Sequence, residues 1–255
     1  MNRSLLFAKR NLTELSRDVL SYIFCIAFPV VMLIVMSVLN ASIPKEAHMT
    51  VFRIDNLSGG ILVFGQTFVM LFTAILVATD KSTSFLMRLY ATPMKSRHFI
   101  LGYIIPMLMI SVVQSLVTIV SSLLIAGITG VSLKLPGLLL AVFTSLPSAL
   151  MFISIGLIFG TLFNEKSAPG LCSVIISLGS FLGGVFFDAE GVGGVMYTIC
   201  KCMPFIYCTK TARASIRLEP DWESFGLPFV IISLTALVFM SLAIAVFRSR
   251  MKADR

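Results

Sequence analysis

The chain has 255 residues, of which 57% are hydrophobic and only 13% are charged, and its formal net charge is +8 at pH 7. A water-soluble domain carries about 25% charged residues, so the composition excludes an ordinary soluble domain and predicts an integral membrane protein. The basic residues lie at the ends of apolar runs and form no continuous groove, which argues against binding to nucleic acid.

The first predicted element is an amphipathic helix over residues 1–18. Its apolar residues recur at steps of three and four, while the basic residues lie mostly on other faces, as is typical of a helix at the membrane surface. The apolar residues are Leu5, Ala8, Leu12, Leu15 and Val19. The apolar run that follows is too long for a cleaved signal peptide and is predicted to be a retained anchor.

Six apolar runs are long enough to cross a bilayer, which requires about 20 residues in a helix. They are 19–39, 57–79, 99–126, 137–162, 169–187 and 227–247. The predicted fold class is therefore an all-α membrane protein with six transmembrane helices. Pro29, Pro106 and Pro147 fall within these runs and are candidate kinks, because proline removes a helical hydrogen bond.

The distribution of basic residues predicts the orientation in the membrane. With six spans both termini lie on one side, and that side holds 13 of the 20 lysine and arginine residues, including those of the tail 248–255. Because cytoplasmic segments carry the excess of basic residues, both termini are predicted to be cytoplasmic in a multi-pass protein of the cell membrane. The same residues can contact anionic lipid.

Residues 80–98 interrupt the apolar sequence with five charges and a proline. Asp80 or Ser82 can cap a short helix, in which Phe85, Leu86, Leu89 and Tyr90 form an apolar face and Arg88 lies off it. Two interpretations follow from this pattern. The helix either docks into a groove of a partner protein or rests on the lipid interface.

Two rows of side chains stand out in the second and fifth spans. An aromatic row is formed by Phe64, Phe68 and Phe72, with Gln66 and Thr67 beside it; the fifth span offers a serine stripe, Ser173, Ser177 and Ser180, followed by Phe181. If these rows line a path through the membrane, their uncharged side chains favour an amphipathic or lipid-like molecule over an ion. The alternative is ordinary helix packing and lipid contact. Two GxxxG patterns, Gly156 with Gly160 and Gly179 with Gly183, predict close helix packing.

Several kinds of chemistry are missing from the sequence. It contains no Gly-Lys pair and hence no phosphate loop for ATP, no ionisable residue well inside a span, and no convergent catalytic or metal-ligating set. We therefore predict no catalytic residue, no metal site and no cofactor in this chain. If the protein does work, the energy for it must come from elsewhere.

The segment 188–226 is long for a loop and is predicted to be a re-entrant helical hairpin on the outer side, with breaks at Gly191–Gly194 and Pro204. A helical cap on the outer surface is the alternative. Its three cysteines, Cys200, Cys202 and Cys208, are either unpaired or form a disulfide.

Two stretches carry a resemblance to a known family. The string DKSTSFLMRLYATPMKSRHFILG (80–102), with its Arg-Leu-x-Ala-Thr-Pro core and Gln114 in the following span, resembles the ABC-2 family of ABC-transporter permeases, and so does MPFIYCTKTARAS (203–215). One departure is the start of the first string, which reads Asp80-Lys81-Ser82-Thr83 where the family often has glutamates.

The resemblance implies a specific role for several segments. Residues 82–92 would be the coupling helix that docks on a cytoplasmic ATPase, residues 1–18 the connecting helix, and the outer segment 188–226 the closure of the pathway. The implied coupling residues are Ser82, Phe85, Leu86, Arg88, Leu89 and Tyr90.

The resemblance also implies partners and cargo. Two ATPase subunits would supply ATP and magnesium, and a second permease chain, identical or related, would complete a central slit lined by the second and fifth spans. The predicted function is export of a hydrophobic or amphipathic substrate such as a drug, an antimicrobial peptide or a lipid-like molecule. Export of a polysaccharide or of sodium, and a non-transporting membrane scaffold or sensor, stay open as alternatives.

Overall fold

A computed structural model describes residues 3–43, 50–83, 96–187, 189–219 and 221–253. These residues contain helices and no strand, which confirms the all-α membrane fold. The helices are α1 (Arg3–Leu15), α2 (Val19–Ser42), α3 (Ile54–Ser82), α4 (Ser96–Thr129), α5 (Leu135–Thr144), α6 (Leu146–Leu162), α7 (Ala168–Leu182), α8 (Ala189–Val192), α9 (Gly194–Cys202), α10 (Pro204–Arg217) and α11 (Leu227–Ala253).

Five of the six predicted spans are long and apolar enough to cross a membrane. They correspond to Val19–Ser42, Ile54–Ser82, His98–Thr129, Leu135–Leu162 and Trp222–Arg250. The predicted span 169–187 differs, because α7 has only 15 residues. It ends at a Gly183–Gly184 pair in which Gly184 has φ +64°, a left-handed conformation that glycine adopts without strain.

The three candidate kink prolines lie at different kinds of position in the helices. A π-helical turn, Ile23–Ala27, interrupts α2 immediately before Pro29. The fourth span is divided into α5 and α6 at Ser145, with Pro147 in the first turn of α6. Pro106 lies within α4 without ending it.

Helix α3 forms the axis of the molecule, and nearly all of its side chains are buried by the rest of the chain. It packs against α4, α6, α7 and α10. Helix α6 approaches α3 closely: a Cβ atom at Gly156 would lie 2.8 Å from Thr73 Cβ, and one at Gly160 would lie 2.6 Å from the carbonyl oxygen of Ala74. The two glycines therefore lie where the α3 backbone leaves no room for a side chain.

These distances make a matched pair of substitutions informative. Gly160→Ala should destabilise the fold by about 1–3 kcal/mol, since overpacking forces the backbone of α3 to shift. Gly127→Ala, at a helical position with nothing within 4 Å of the added Cβ, should be neutral or stabilising by about 0.5 kcal/mol. Melting temperatures of the two purified variants measure the difference, and equal values would contradict the close α3–α6 contact.

Candidate functional site at the α1 end of the bundle

The two ends of α3 lie in different polar environments. Near Ser82 it meets α1 and the start of α4, and near Ile54 it meets α10. We call these the α1 end and the α10 end. The α1 end is the candidate functional site, because residues 83 and 96, which flank the predicted coupling segment, both lie there.

Helix α1 lies against α4 through a small set of close contacts. The ring of Phe7 packs edge-on against Tyr103, with 5.0 Å between the ring centroids, and occupies the space that a side chain at position 102 would need. The Asn11 side-chain amide donates a hydrogen bond to the Gly102 carbonyl oxygen at 3.0 Å. Gly102 thus lets the polar and aromatic groups of α1 reach the backbone of α4.

A buried carboxylate joins the three helices of this end. Asp80 lies in the last turn of α3 and is 1% exposed. Arg10 of α1 donates to both of its oxygens, at 2.8 and 2.9 Å, and the Tyr103 hydroxyl of α4 donates to Oδ2 at 2.7 Å. Because breaking a buried, hydrogen-bonded ion pair costs several kcal/mol, these bonds fix α1 to both neighbouring helices. We call the Asp80 carboxylate and its bonds to Arg10 and Tyr103 the Asp80 junction.

Arg10 also binds a second carboxylate. Its other terminal nitrogen lies 2.9 Å from the carboxylate of Glu14, one helical turn later. Burial raises the pKa of Glu14; the Arg10 charge opposes this shift and the Asp80 charge adds to it. The Arg10 guanidinium therefore binds the carboxylates of both Asp80 and Glu14, and its position depends on both.

Other polar contacts hold the residues on either side of this carboxylate. The Ser4 hydroxyl lies 2.7 Å from His98 Nδ1, which ties the start of α1 to the start of α4. On the other side of α3, Lys81 donates to the Thr161 carbonyl oxygen at 3.0 Å, and the Ser82 hydroxyl donates to Glu165 at 3.0 Å. The end of α3 is consequently held by α1, α4 and the α6–α7 connection together.

The structure gives Asp80 a different role from the one that the sequence pattern predicts. The pattern makes it a candidate cap for the next helix, whereas it lies inside α3 with its side chain turned to Arg10 and Tyr103. These partners are 70 and 23 residues away in the chain, and no periodic pattern links them. The only signal in the sequence is an acid at the end of a long apolar run.

Of the predicted coupling residues, Ser82 is the last residue of α3. Phe85, Leu86, Arg88, Leu89 and Tyr90 fall outside the described residues. The amphipathic pattern predicted for residues 1–18 divides in the structure, since Ala8 and Leu15 of α1 are buried while Leu5 of α1 and Val19, the first residue of α2, are exposed on the outside of the chain.

The predicted path residues of α3 are all buried inside the single chain. The aromatic row packs against the first span, for example Phe68 against Phe28 with 5.3 Å between ring centroids, and Phe64 also contacts Phe186 at 5.3 Å. Gln66 donates to the Ser145 carbonyl and accepts from the Ser148 hydroxyl, and the Thr67 hydroxyl donates to the carbonyl of Phe64. If this face of α3 lines a transport path, it must become accessible to the substrate in another conformation of the protein.

The predicted path residues of α7 lie in a different environment. Ser173, Ser177 and Phe181 are exposed on the outside of the chain, whereas Ser180 is buried. The three serine hydroxyls each donate to a carbonyl oxygen of their own helix, four residues earlier. The structure therefore does not bring the serine stripe and the aromatic row to one surface. A Cβ at Gly179 would be in ordinary contact with Phe205, 3.5 Å away, and Gly183 ends the helix.

All five cysteines are unpaired in the structure. Cys200 and Cys208 are buried and Cys202 is exposed. Burial raises the pKa of the Cys208 thiol to about 12, which keeps it in the unreactive protonated form. No metal-ligating cluster is found in the part of the chain that the structure describes.

A comparison with protein families decides what kind of protein this is. The family model for the ABC-2 type transporter matches residues 4–216, from the first turn of α1 to the last turn of α10. The chain belongs to the ABC-2 type transporter family. It is a multi-pass membrane protein and a permease subunit of an ABC transporter, a class that pairs with ATPase subunits. No curated protein matches the chain by sequence.

The Asp80 contacts lie within this matched region and can be tested by stability. Removing one partner of a buried ion pair costs about 3–5 kcal/mol, but Arg10 is partly exposed and can regain hydration, so Asp80→Asn should cost about 2 kcal/mol. Tyr103→Phe removes one hydrogen bond and should cost about 1 kcal/mol. The melting temperature of the permease in detergent micelles measures both changes.

Asp221→Asn is the matched control, because Asp221 is exposed and its side chain forms no capping hydrogen bond. It should leave the melting temperature unchanged. If Asp80→Asn behaved like this control, the junction would contribute nothing to holding α1 in place.

Proposed function

We propose that this permease exports a hydrophobic or amphipathic substrate, with the α1 end of the bundle in the cytoplasm of the cell and the α10 end outside. Two copies, or one copy and a related chain, pair with two ATPase subunits. The observation that carries the proposal is the Asp80 junction, which binds together the three helices around the predicted coupling segment.

The junction gives the coupling segment a rigid support. The chain leaves α3 at residue 83 and starts α4 at residue 96, and Asp80 and Tyr103 tie these two helices to each other beside that point. Arg10 ties α1 to the same carboxylate. A push on residues 82–92 by a docked ATPase would thus act on three helices at once rather than on one.

Helix α3 can carry this movement across the membrane. Asn56 and Asp80 are separated by 24 residues of one helix, which corresponds to roughly 36 Å at 1.5 Å per residue. Its two ends contact α1 and α10 respectively. A tilt of α3 that starts at the cytoplasmic end therefore reaches α10 without an intervening loop.

The energy would come from the partner. The sequence lacks a phosphate loop, so ATP and magnesium belong to the ATPase subunits and the permease responds mechanically to their closure. No covalent intermediate is needed, because the permease changes only which side of the membrane the substrate can reach.

The chemistry of the spans supports an apolar cargo. The predicted runs 57–79 and 169–187 contain no charged residue, and the exposed face of α7 combines Ser173 and Ser177 with Val174, Leu178 and Phe181. A polysaccharide route would favour acidic groups. A sodium site would need several oxygens that converge on one point, whereas Ser173 and Ser177 are exposed on the outside of the chain.

The decisive experiment measures ATP hydrolysis by the permease purified together with its ATPase. Leu89→Asp places a charge on the predicted apolar face of the coupling helix and should abolish docking, since an unpaired charge in an apolar groove costs several kcal/mol. Ser84→Asp adds the same charge on the opposite face of that helix and is the matched control. We expect Leu89→Asp to lose at least tenfold in permease-stimulated hydrolysis and Ser84→Asp to retain it.

Folding is checked separately by the melting temperature of the permease alone. If Leu89→Asp keeps both the association and the stimulated hydrolysis of the wild type, residues 82–92 rest on lipid and the coupling proposal fails. A membrane scaffold would instead bind the ATPase without any effect of added substrate on its hydrolysis rate.

A further inference from the structure

At the α10 end a single arginine joins three elements. Arg213 of α10 donates through Nε to the carbonyl oxygen of Asn56 in the first turn of α3, at 3.0 Å. Its Nη2 donates at 2.8 Å to the carbonyl oxygen of Gly184, just beyond the end of α7. The C-terminal end of α7, next to Gly184, carries partial negative charge, which favours a guanidinium on that side.

The surrounding backbone is shaped for this side chain. A Cβ atom at Gly59 would lie 2.9 Å from Arg213 Cγ, and one at Gly60 would lie 3.4 Å from Arg213 Nη2 and 3.3 Å from Val185. Gly184 accepts the bond while in a left-handed conformation. The glycines thus let α10 approach α3 closely enough for the guanidinium to reach both carbonyl oxygens.

The neighbouring polar residues of α10 repeat the pattern. Thr209, Arg213 and Arg217 follow one another at intervals of four residues and share one helical face. The Thr209 hydroxyl donates to the Gly183 carbonyl oxygen, and Arg217 donates to the side chain of Asn56 and pairs with Asp55 at 3.6 Å. One face of α10 is therefore attached by polar bonds to α3 and to the end of α7.

A cavity of about 270 Å³ adjoins these bonds, lined in part by Asn56, Gly183, Thr209, Arg213 and Arg217. The contact between α10 and its neighbours is thus already partly open at this point. Separating the helices here would widen a cavity whose lining is already partly polar.

We infer that Arg213 is the positioning residue that holds the α10 end of the permease closed, and that release of its two carbonyl bonds lets α10 separate from α3 and α7. The inference rests on the proposed function, in which this end opens to release the substrate. It assigns the closed state to specific hydrogen bonds rather than to the apolar packing of the spans.

The test uses a thiol as a reporter of opening. Val185 is 1% exposed and follows Gly184. Val185→Cys therefore places a thiol next to the residue whose carbonyl oxygen accepts the bond from Arg213. The full-length permease in detergent micelles is treated with N-ethylmaleimide, and the reaction rate at each cysteine is read by peptide mass spectrometry. Exposed Cys202 provides the fast reference, and Cys172, buried within α7, reports general unfolding.

In this background Arg213→Gln should raise the reaction rate at position 185 at least tenfold relative to Cys202, with Cys172 unchanged. Arg213→Lys should give a smaller increase, because an ammonium keeps the charge but cannot reach two carbonyl oxygens in the fixed geometry of a guanidinium. Arg53→Gln is the matched control; this arginine lies at the same end, is exposed and pairs with Asp55, and its loss should leave the rate at position 185 unchanged.

Two results would overturn the inference. The first is a rate for Arg213→Gln equal to that for Arg53→Gln. The second is a parallel rise at Cys172, which would show that Arg213 only stabilises the fold. Because no ATPase is present in this assay, its outcome is independent of the Leu89→Asp experiment. The inference about Arg213 and the coupling proposal can therefore fail separately.

Discussion

The buried carboxylate of Asp80 is the interaction on which the α1 end of this permease depends. A carboxylate withdrawn from water must find its hydrogen bonds within the protein, and here they come from α1 and α4. This requirement converts a surface helix, a transmembrane helix and the start of the next span into one unit. The segment between residues 83 and 96 therefore begins and ends on a rigid base.

The same physical rule organises the α10 end, with a cation in place of an anion. Arg213 donates to the backbone carbonyl oxygens of Asn56, in the first turn of α3, and of Gly184, beyond the end of α7. Between these two polar regions, α3 is enclosed by apolar side chains and by the glycines of α6. The molecule thus has charged, hydrogen-bonded groups at both ends of its axis. Between them lie close packing and a few buried polar bonds, such as those of Gln66 with Ser145 and Ser148.

A rule of length and composition located most of the apolar helices. The spans near 57–79 and 227–247 follow from about 20 apolar residues in a row, and α3 and α11 contain them. The rule was less accurate for 169–187, since α7 stops at Leu182, immediately before the glycine pair Gly183–Gly184. It also gave no guidance on orientation around the helix axis, because in a membrane an apolar side chain is equally compatible with lipid and with the protein interior.

The sequence by itself determined the class of the protein, the approximate position of its apolar helices and, through the stretch 80–102, its family. Only the tertiary structure decided that Asp80 bonds to Arg10 and Tyr103 instead of capping a helix, that the aromatic row of Phe64, Phe68 and Phe72 lies inside the chain, and that Arg213 bridges α3 and α7. Hydropathy and helical periodicity are local properties of the chain. The partners of a buried polar group are set by which distant helices pack together, and no local pattern encodes that choice.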